Sequence, residues 1–286
     1  MAQNLSFSGH ETFVCKQFWL KKGYDFLQQN KKFNDNQAVV DLGVGKNMVN
    51  SIAFWLKAFG MSNTEGLTDM AHFIFDNKIG KDIFLEDIAS VWLLHYWLVK
   101  TERASIYSLF FNEFVKEKPE FTKEQLKKWL MNKTEGKISE NTIVRDIEVL
   151  LRTYLKPIKS KSIEKDFMNI FVSLELLHQD KDKYNIQVNE KSNLPAEIFL
   201  YAILDNEAFA TTNSLNLKDL RFSPQSVGLV FAMNLDGVYE KIKELETLYE
   251  GKIVFTETAG NPVLQFKERP EKIQVLIEYY QKIQNP

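Results

Sequence analysis

The chain has 286 residues, a formal net charge of −2 and 44% hydrophobic residues. That length suits roughly two domains, or three small ones, with ample apolar material for buried cores. The near-neutral balance argues against a generic polyanion binder, but charge is unevenly spread: residues 1–60 carry +3, 61–115 carry −4, 116–165 carry +5 and 166–286 carry −6. The positive stretches can supply phosphate contacts, while the acidic ones suit protein-facing or solvated surface.

Residues 11–29 read as a first helix, with Phe13, Phe18, Leu20 and Phe26 on its inner side and Lys16, Lys21 and Lys22 in solvent. Asn34, Asp35 and Asn36 offer a cap for the next helix, which gives way at Gly43. A helix over 45–59 follows, with Met48, Ile52, Trp55 and Phe59 forming one apolar stripe. Lys46, Asn47, Asn50 and Lys57 fall largely off that stripe. Short helix, tight turn and polar second helix form the helix-turn-helix pattern that reads a DNA groove. The structural alternative is an ordinary buried helix pair. The Gly43-x-Gly45-Lys46 run is not a phosphate loop. That motif needs four residues between its glycines and a hydroxyl residue after its lysine, where this chain has Asn47.

Gly60 ends this helix, residues 61–68 are the place for a short wing, and Thr68 opens a helix through Phe75. Two apolar helices over 85–100 and 105–115 read as a connector. Thr122 and Gln125 form a capping box for a helix carrying Leu126, Trp129 and Leu130; after Gly136, Ser139 caps a longer helix through Tyr154. Its inner stripe is Ile143, Ile147, Leu150 and Leu151. Strands over 167–177 and 182–188 complete a second helix-turn-helix with hairpin. The last third repeats the plan: a helix over 195–204, a helix pair over 215–221 and 223–233 with Pro224 in a first turn, an amphipathic helix over 235–249, a hairpin from 252–257 to 262–267, and a closing helix over 270–283.

The fold class expected is mainly α with short β-hairpins (α+β), built from several winged-helix or helix-turn-helix units. The divisions are residues 1–82, a helical connector 83–118, a second unit 119–192 and a C-terminal unit 193–286. Cys15 is the lone cysteine, so no disulfide forms within the chain and a buried small hydrophobe is expected. Residues 89–99 are the most apolar run, too short to span a bilayer and interrupted by His95. No secretory leader is read at the start, and the cytoplasm is the expected compartment.

The strings Phe7-Ser8-Gly9-His10-Glu11-Thr12-Phe13, Leu20-Lys21-Lys22-Gly23-Tyr24-Asp25 and Val44-Gly45-Lys46-Asn47-Met48-Val49 resemble the SspB-like family, a domain-of-unknown-function group encoded with bacterial DNA phosphorothioation genes. So do Phe54 to Gly60, Glu86-Asp87 before Trp92-Leu93-Leu94-His95, and Arg145-Asp146 before Leu150 to Tyr154. The match is good over roughly the first half and general in shape beyond it. The resemblance implies a partner of a cysteine desulfurase and other phosphorothioation proteins, in a system that replaces a phosphate oxygen of DNA with sulfur. It also implies an association with nicking of one strand.

His10 and Glu11 are the catalytic candidates, since an imidazole and a carboxylate at a helix entry can move a proton or meet a phosphate. The alternative is capping and packing. Glu86 and Asp87 could hold a magnesium ion, but acids in a first helical turn are also what the helix dipole favours. His72, His95 and His178 lack ligand spacing, so no resident metal or tightly bound cofactor is expected; a divalent ion enters only with nicking. The DNA-binding candidates are Lys46, Asn47, Asn50 and Lys57, then Lys123, Lys127, Lys128, Arg145 and Arg152, with Lys156 beside them. The expected function is recognition of double-stranded DNA and nicking of one strand to assist sulfur incorporation. The alternatives are a non-enzymatic DNA-binding regulator or adaptor, and a protein-interaction scaffold.

Overall fold

The computed structural model describes residues 5–156, 169–258 and 261–284. The chain divides into two compact units, Met1–Ile186 and Gln187–Pro286, each a mix of helices and a small antiparallel sheet.

The first unit opens with helices α1 (Gln17–Gln28), α2 (Ala38–Leu42), α3 (Lys46–Ala58) and α4 (Asp69–Phe75). Gly43 closes α2 in the left-handed region (φ 59°), and Gly60 follows α3 in the same conformation (φ 70°), as residues without a Cβ allow. Between α3 and α4 the expected wing is reduced to one bridge, Ser62 with Leu67, around an Asn63–Gly66 turn. Helix α5 (Ile88–Lys100) is apolar on every side, and each residue from Ala89 to Val99 is buried, so it forms the centre of the unit. His95 is tolerated there because its Nδ1 lies 2.9 Å from the Tyr154 hydroxyl and its ring packs against Phe111 and Phe171.

Helix α6 (Ser105–Leu109) runs through a π turn at Phe110–Phe114 into the short α7 (Val115–Glu117). Strand β1 (Glu120–Thr122) leads directly into α8 (Lys123–Lys133), which begins with the expected capping box: Thr122 Oγ1 accepts the Gln125 N–H and Gln125 Oε1 accepts the Thr122 N–H. Ser139 caps α9 (Glu140–Tyr154) by accepting the Thr142 N–H at 3.2 Å. Strands β2 (Leu177–Asp180) and β3 (Lys183–Ile186) form a hairpin, and the sheet runs β1-β3-β2. Phe121 sits opposite Tyr184 in register and stacks on it.

The second unit is centred on α10 (Ala196–Asp205), buried from Ala196 through Leu204. Strand β4 (Ser214–Asn216), α11 (Leu217–Phe222), α12 (Val227–Val230), α13 (Leu235–Leu248), β5 (Ile253–Thr258), β6 (Asn261–Phe266) and α14 (Lys272–Gln284) follow, with the sheet ordered β4-β6-β5. Asn216 caps α11 and Asn234 caps α13.

Several expectations are corrected. The first helix starts at Gln17, not at residue 11, because Ser8, Glu11 and Thr12 have positive φ (70°, 51° and 68°) and break any helical path. The Asn34–Asn36 cap is not made: Gln37 precedes α2 without a side-chain cap, and only the Asp35 carbonyl meets the Ala38 N–H. The strand expected over 167–177 begins outside the described residues. Its described part holds a single bridge from Asn169 to Lys16, then a 3-10 turn at Val172–Leu174 and a left-handed Glu175 (φ 47°), so the hairpin pairing starts at Leu177. Pro224 lies in the turn before α12 and not within a helix, since α12 begins at Val227.

Removing the Thr122 cap leaves a donor of the first turn of α8 without its partner. Thr122→Ala is expected to destabilise the first unit by about 1 kcal/mol, seen as a lower urea midpoint at constant m-value. An unmoved midpoint would mean that the cap is energetically idle.

Candidate nucleic-acid interface

Helix α3 carries the surface that the sequence singled out. Val49, Ile52, Trp55, Leu56 and Phe59 are buried, whereas Lys46, Asn47, Asn50 and Lys57 are all exposed. Met48, expected on the inner stripe, is only half-buried; Val49 takes that place. Lys46, Asn50 and Lys57 recur at four- and seven-residue spacing, so they form one row, roughly 16 Å long at the helical rise. The helix contains no acidic residue, which leaves the row's positive charge uncompensated by its own helix.

The second basic group is more engaged with its own neighbours. Lys123, Lys128, Arg145 and Lys156 are exposed. Lys127 is held by Glu140 at 2.8 Å and Glu124 at 2.9 Å, and these hydrogen bonds raise its pKa. Lys133 pairs with Glu113, and Lys137 with Glu135. Arg152 is exposed, but its Nη2 donates to the Thr12 carbonyl at 2.7 Å and its Nε to the Glu148 carbonyl at 3.2 Å.

The partner of Arg152 belongs to a strap over residues 6–13. Ser6 exchanges two hydrogen bonds with Ser105: its N–H meets Ser105 Oγ at 2.8 Å, and its carbonyl accepts the Ser105 N–H at 3.1 Å. The Ser8 N–H donates to both carboxylate oxygens of Asp146, at 3.1 and 3.2 Å. His10 is 2% exposed. Its ring stacks on Trp55 (6.1 Å between centroids, 19° between planes) and meets Phe54 edge-on. His10 Nδ1 accepts the Thr12 N–H at 3.1 Å, so in the neutral ring the proton sits on Nε2, 3.2 Å from Asp146 Oδ1. That last contact has the distance of an ion pair but lacks hydrogen-bond alignment. Trp55 Nε1 donates to the Phe13 carbonyl at 3.1 Å. Glu11 turns the other way, into solvent, where Asn50 Nδ2 approaches its Oε1 at 3.4 Å.

Residues 7–280 match the model of the family described as "Protein of unknown function (DUF4007)". The chain belongs to this family. Two solved structures are similar over 98% of this chain and 89% of theirs, each with a TM-score of 0.84. One is titled "Magnesium ion-bound SspB crystal structure", at 27% identity, and the other "SspB crystal structure", at 26%. The resemblance to an SspB-like family is thereby shown. No curated protein matches the chain.

In this family member the two residues paired as catalytic candidates part company: His10 is enclosed between α3 and α9, and Glu11 is at the surface. Asp87 caps α5 by accepting the Ala89 N–H at 2.7 Å, the role the helix dipole favours, while Glu86 is exposed. His72 meets the Tyr24 hydroxyl, His95 is in the core, and His178 lies exposed on β2. Among the described residues no group of three His, Cys, Asp or Glu side chains is placed to hold a metal ion. Cys15 is buried, and burial raises its pKa well above the usual thiol value, so it is a neutral, enclosed thiol.

Asp146 was missed as a site residue. Its signal was present: it stands beside Ile143, Ile147 and Leu150 on the inner stripe of α9, and a carboxylate on a buried stripe demands partners. Gly9 was also informative, since a Cβ there would meet Phe54 Cδ2 at 2.2 Å. Gly9→Ala is therefore expected to cost about 1–3 kcal/mol as overpacking, measured by denaturant unfolding. Wild-type stability in that variant would show that Phe54 swings aside freely.

Proposed function

We propose that this chain is the DNA-binding component of a bacterial phosphorothioate-modification and defence system. It reads a duplex with α3 and gathers phosphates with Lys123, Lys128 and Arg145, Lys127 and Arg152 lying alongside. The observation that carries this reading is the exposed row Lys46–Asn50–Lys57, with Asn47 beside it, on a helix that has no acidic residue of its own. Lysine ammoniums release counterions from phosphates, and asparagine amides match the adenine edge in the major groove. The similarity to the SspB structures and the family strings support the system.

The element order supports winged-helix units. In both sheets the first strand pairs with the third, the helices lie between the first and second strands, and a hairpin follows. The β2–β3 and β5–β6 hairpins are then the wings, and residues 38–67 form a third, reduced unit. Helix α13 takes the position of α9 in its own unit but exposes Leu235, Asp236, Tyr239 and Glu240. That face suits a protein partner, such as the cysteine desulfurase, better than a phosphate backbone.

Nicking of one strand is the finer reading, with Glu11 as its surface carboxylate. A non-cutting adaptor is the second reading, favoured by the enclosure of His10, whose Nδ1 is already taken by Thr12. Among the described residues no three-donor His, Cys, Asp or Glu group stands beside Glu11 to hold a divalent ion.

Duplex binding by the full chain should weaken steeply with salt. Lys46→Ala with Lys57→Ala is expected to flatten the slope of log K against log salt by about 1.8, or ~0.9 per lost phosphate contact. An unchanged slope contradicts α3 as the reader. Relaxation of supercoiled plasmid by wild type, abolished in Glu11→Ala, supports the nickase. Full duplex affinity without relaxation supports the adaptor.

A further inference from the structure

We propose that the strap over residues 6–13 latches α3 and α9 into one duplex-binding surface, with His10 and Asp146 as its positioning residues. This rests on the DNA-binding reading above and goes beyond it, because it makes the two basic helices a single reader.

The strap has no secondary structure of its own. Three residues with a side chain, Ser8, Glu11 and Thr12, hold left-handed backbone within five positions, a conformation that persists only where the surroundings over-determine it. The surroundings here are the two helices. On the inner side His10 lies against Trp55 and Phe54 of α3, with its Nε2 3.2 Å from Asp146 Oδ1 of α9. The same carboxylate takes the Ser8 N–H with both oxygens. On the outer side Glu11 meets Asn50 of α3, and the Thr12 carbonyl receives Arg152 of α9. The exposed faces of the two helices are thus joined by a continuous polar line, Asn50–Glu11–Thr12–Arg152.

This arrangement has a consequence for binding. When two contact groups are held at a fixed separation, engaging the first places the second at high effective concentration, without a further ordering cost. Lys46 and Lys57 on α3 then engage phosphates together with Arg145 on α9. It also reassigns Arg152. Its guanidinium is tied to the strap, so it supports the surface geometry and is not an independent phosphate clamp.

The test uses the full chain. Spin labels at Asn47→Cys and Glu148→Cys, with Cys15 buried and unlabelled, report the α3–α9 separation without DNA. Unlabelled protein is titrated with a short duplex over a salt series. Wild type should give one narrow distance. His10→Ala should broaden it, lower duplex affinity at least tenfold and flatten the salt slope by roughly one contact, whereas His10→Gln, which keeps polar groups at both ends of the contact, should recover most of both. A narrow distance and an unchanged slope in His10→Ala overturn the latch. If His10→Ala does not fold, Arg152→Ala, at the exposed end of the strap, takes its place in both measurements: a broadened distance with a flatter slope supports the latch, and no change in either overturns it. Wild type without salt-dependent duplex affinity overturns the DNA reading instead, and the distance measurement still decides the latch.

Discussion

The first unit turns on one buried carboxylate. Asp146 is 2% exposed, and a carboxylate buried there needs partners: both its oxygens accept the Ser8 N–H, and His10 Nε2 lies 3.2 Å from Oδ1. Everything nearby follows from keeping those partners in place. Gly9 lets the backbone pass Phe54, Trp55 covers the His10 ring and ties back to Phe13, and Ser105 anchors the strap's beginning. The arrangement forces a run of left-handed residues at the protein surface, and it puts Glu11 outside while His10 is sealed inside.

Much of the fold was legible because its determinants are local. The α3 row follows from helical period alone, and the Thr122 and Ser139 caps follow from residues three positions apart. The enclosed α5 follows from an apolar run broken only by Ser90 and His95. The strap was not legible because its bonds to α9 reach across 138 and 140 residues, while locally its residues read as the opening of a helix. Strands β1 and β4 span three residues each, too few for an alternating pattern to register. The neutralisation of Lys127 was half legible: Glu124 lies one helical turn before it, but Glu140 is brought in across the α8–α9 turn.

Charge sorts the helices into different tasks. Helix α3 exposes cations and amides with no acid, α9 alternates Arg145 and Arg152 with Glu148, and α13 exposes acids and apolar groups. These three helices therefore present three chemically distinct faces, as expected when function is carried by the site and not by the fold. The uneven charge along the sequence has its structural meaning here. Part of the positive middle stretch is taken up by ion pairs within α7–α9 and the turns beside them, whereas Lys46 and Lys57 of the first stretch share a helix that has no acid of its own.

Amide hydrogen exchange at Ser8 and Thr12 tests the central claim most directly. If Asp146 and His10 hold the strap as described, both amides exchange slowly, with opening free energies close to those of the buried side of α9. Exchange at the rate of an exposed loop, with α9 still protected, would contradict the account.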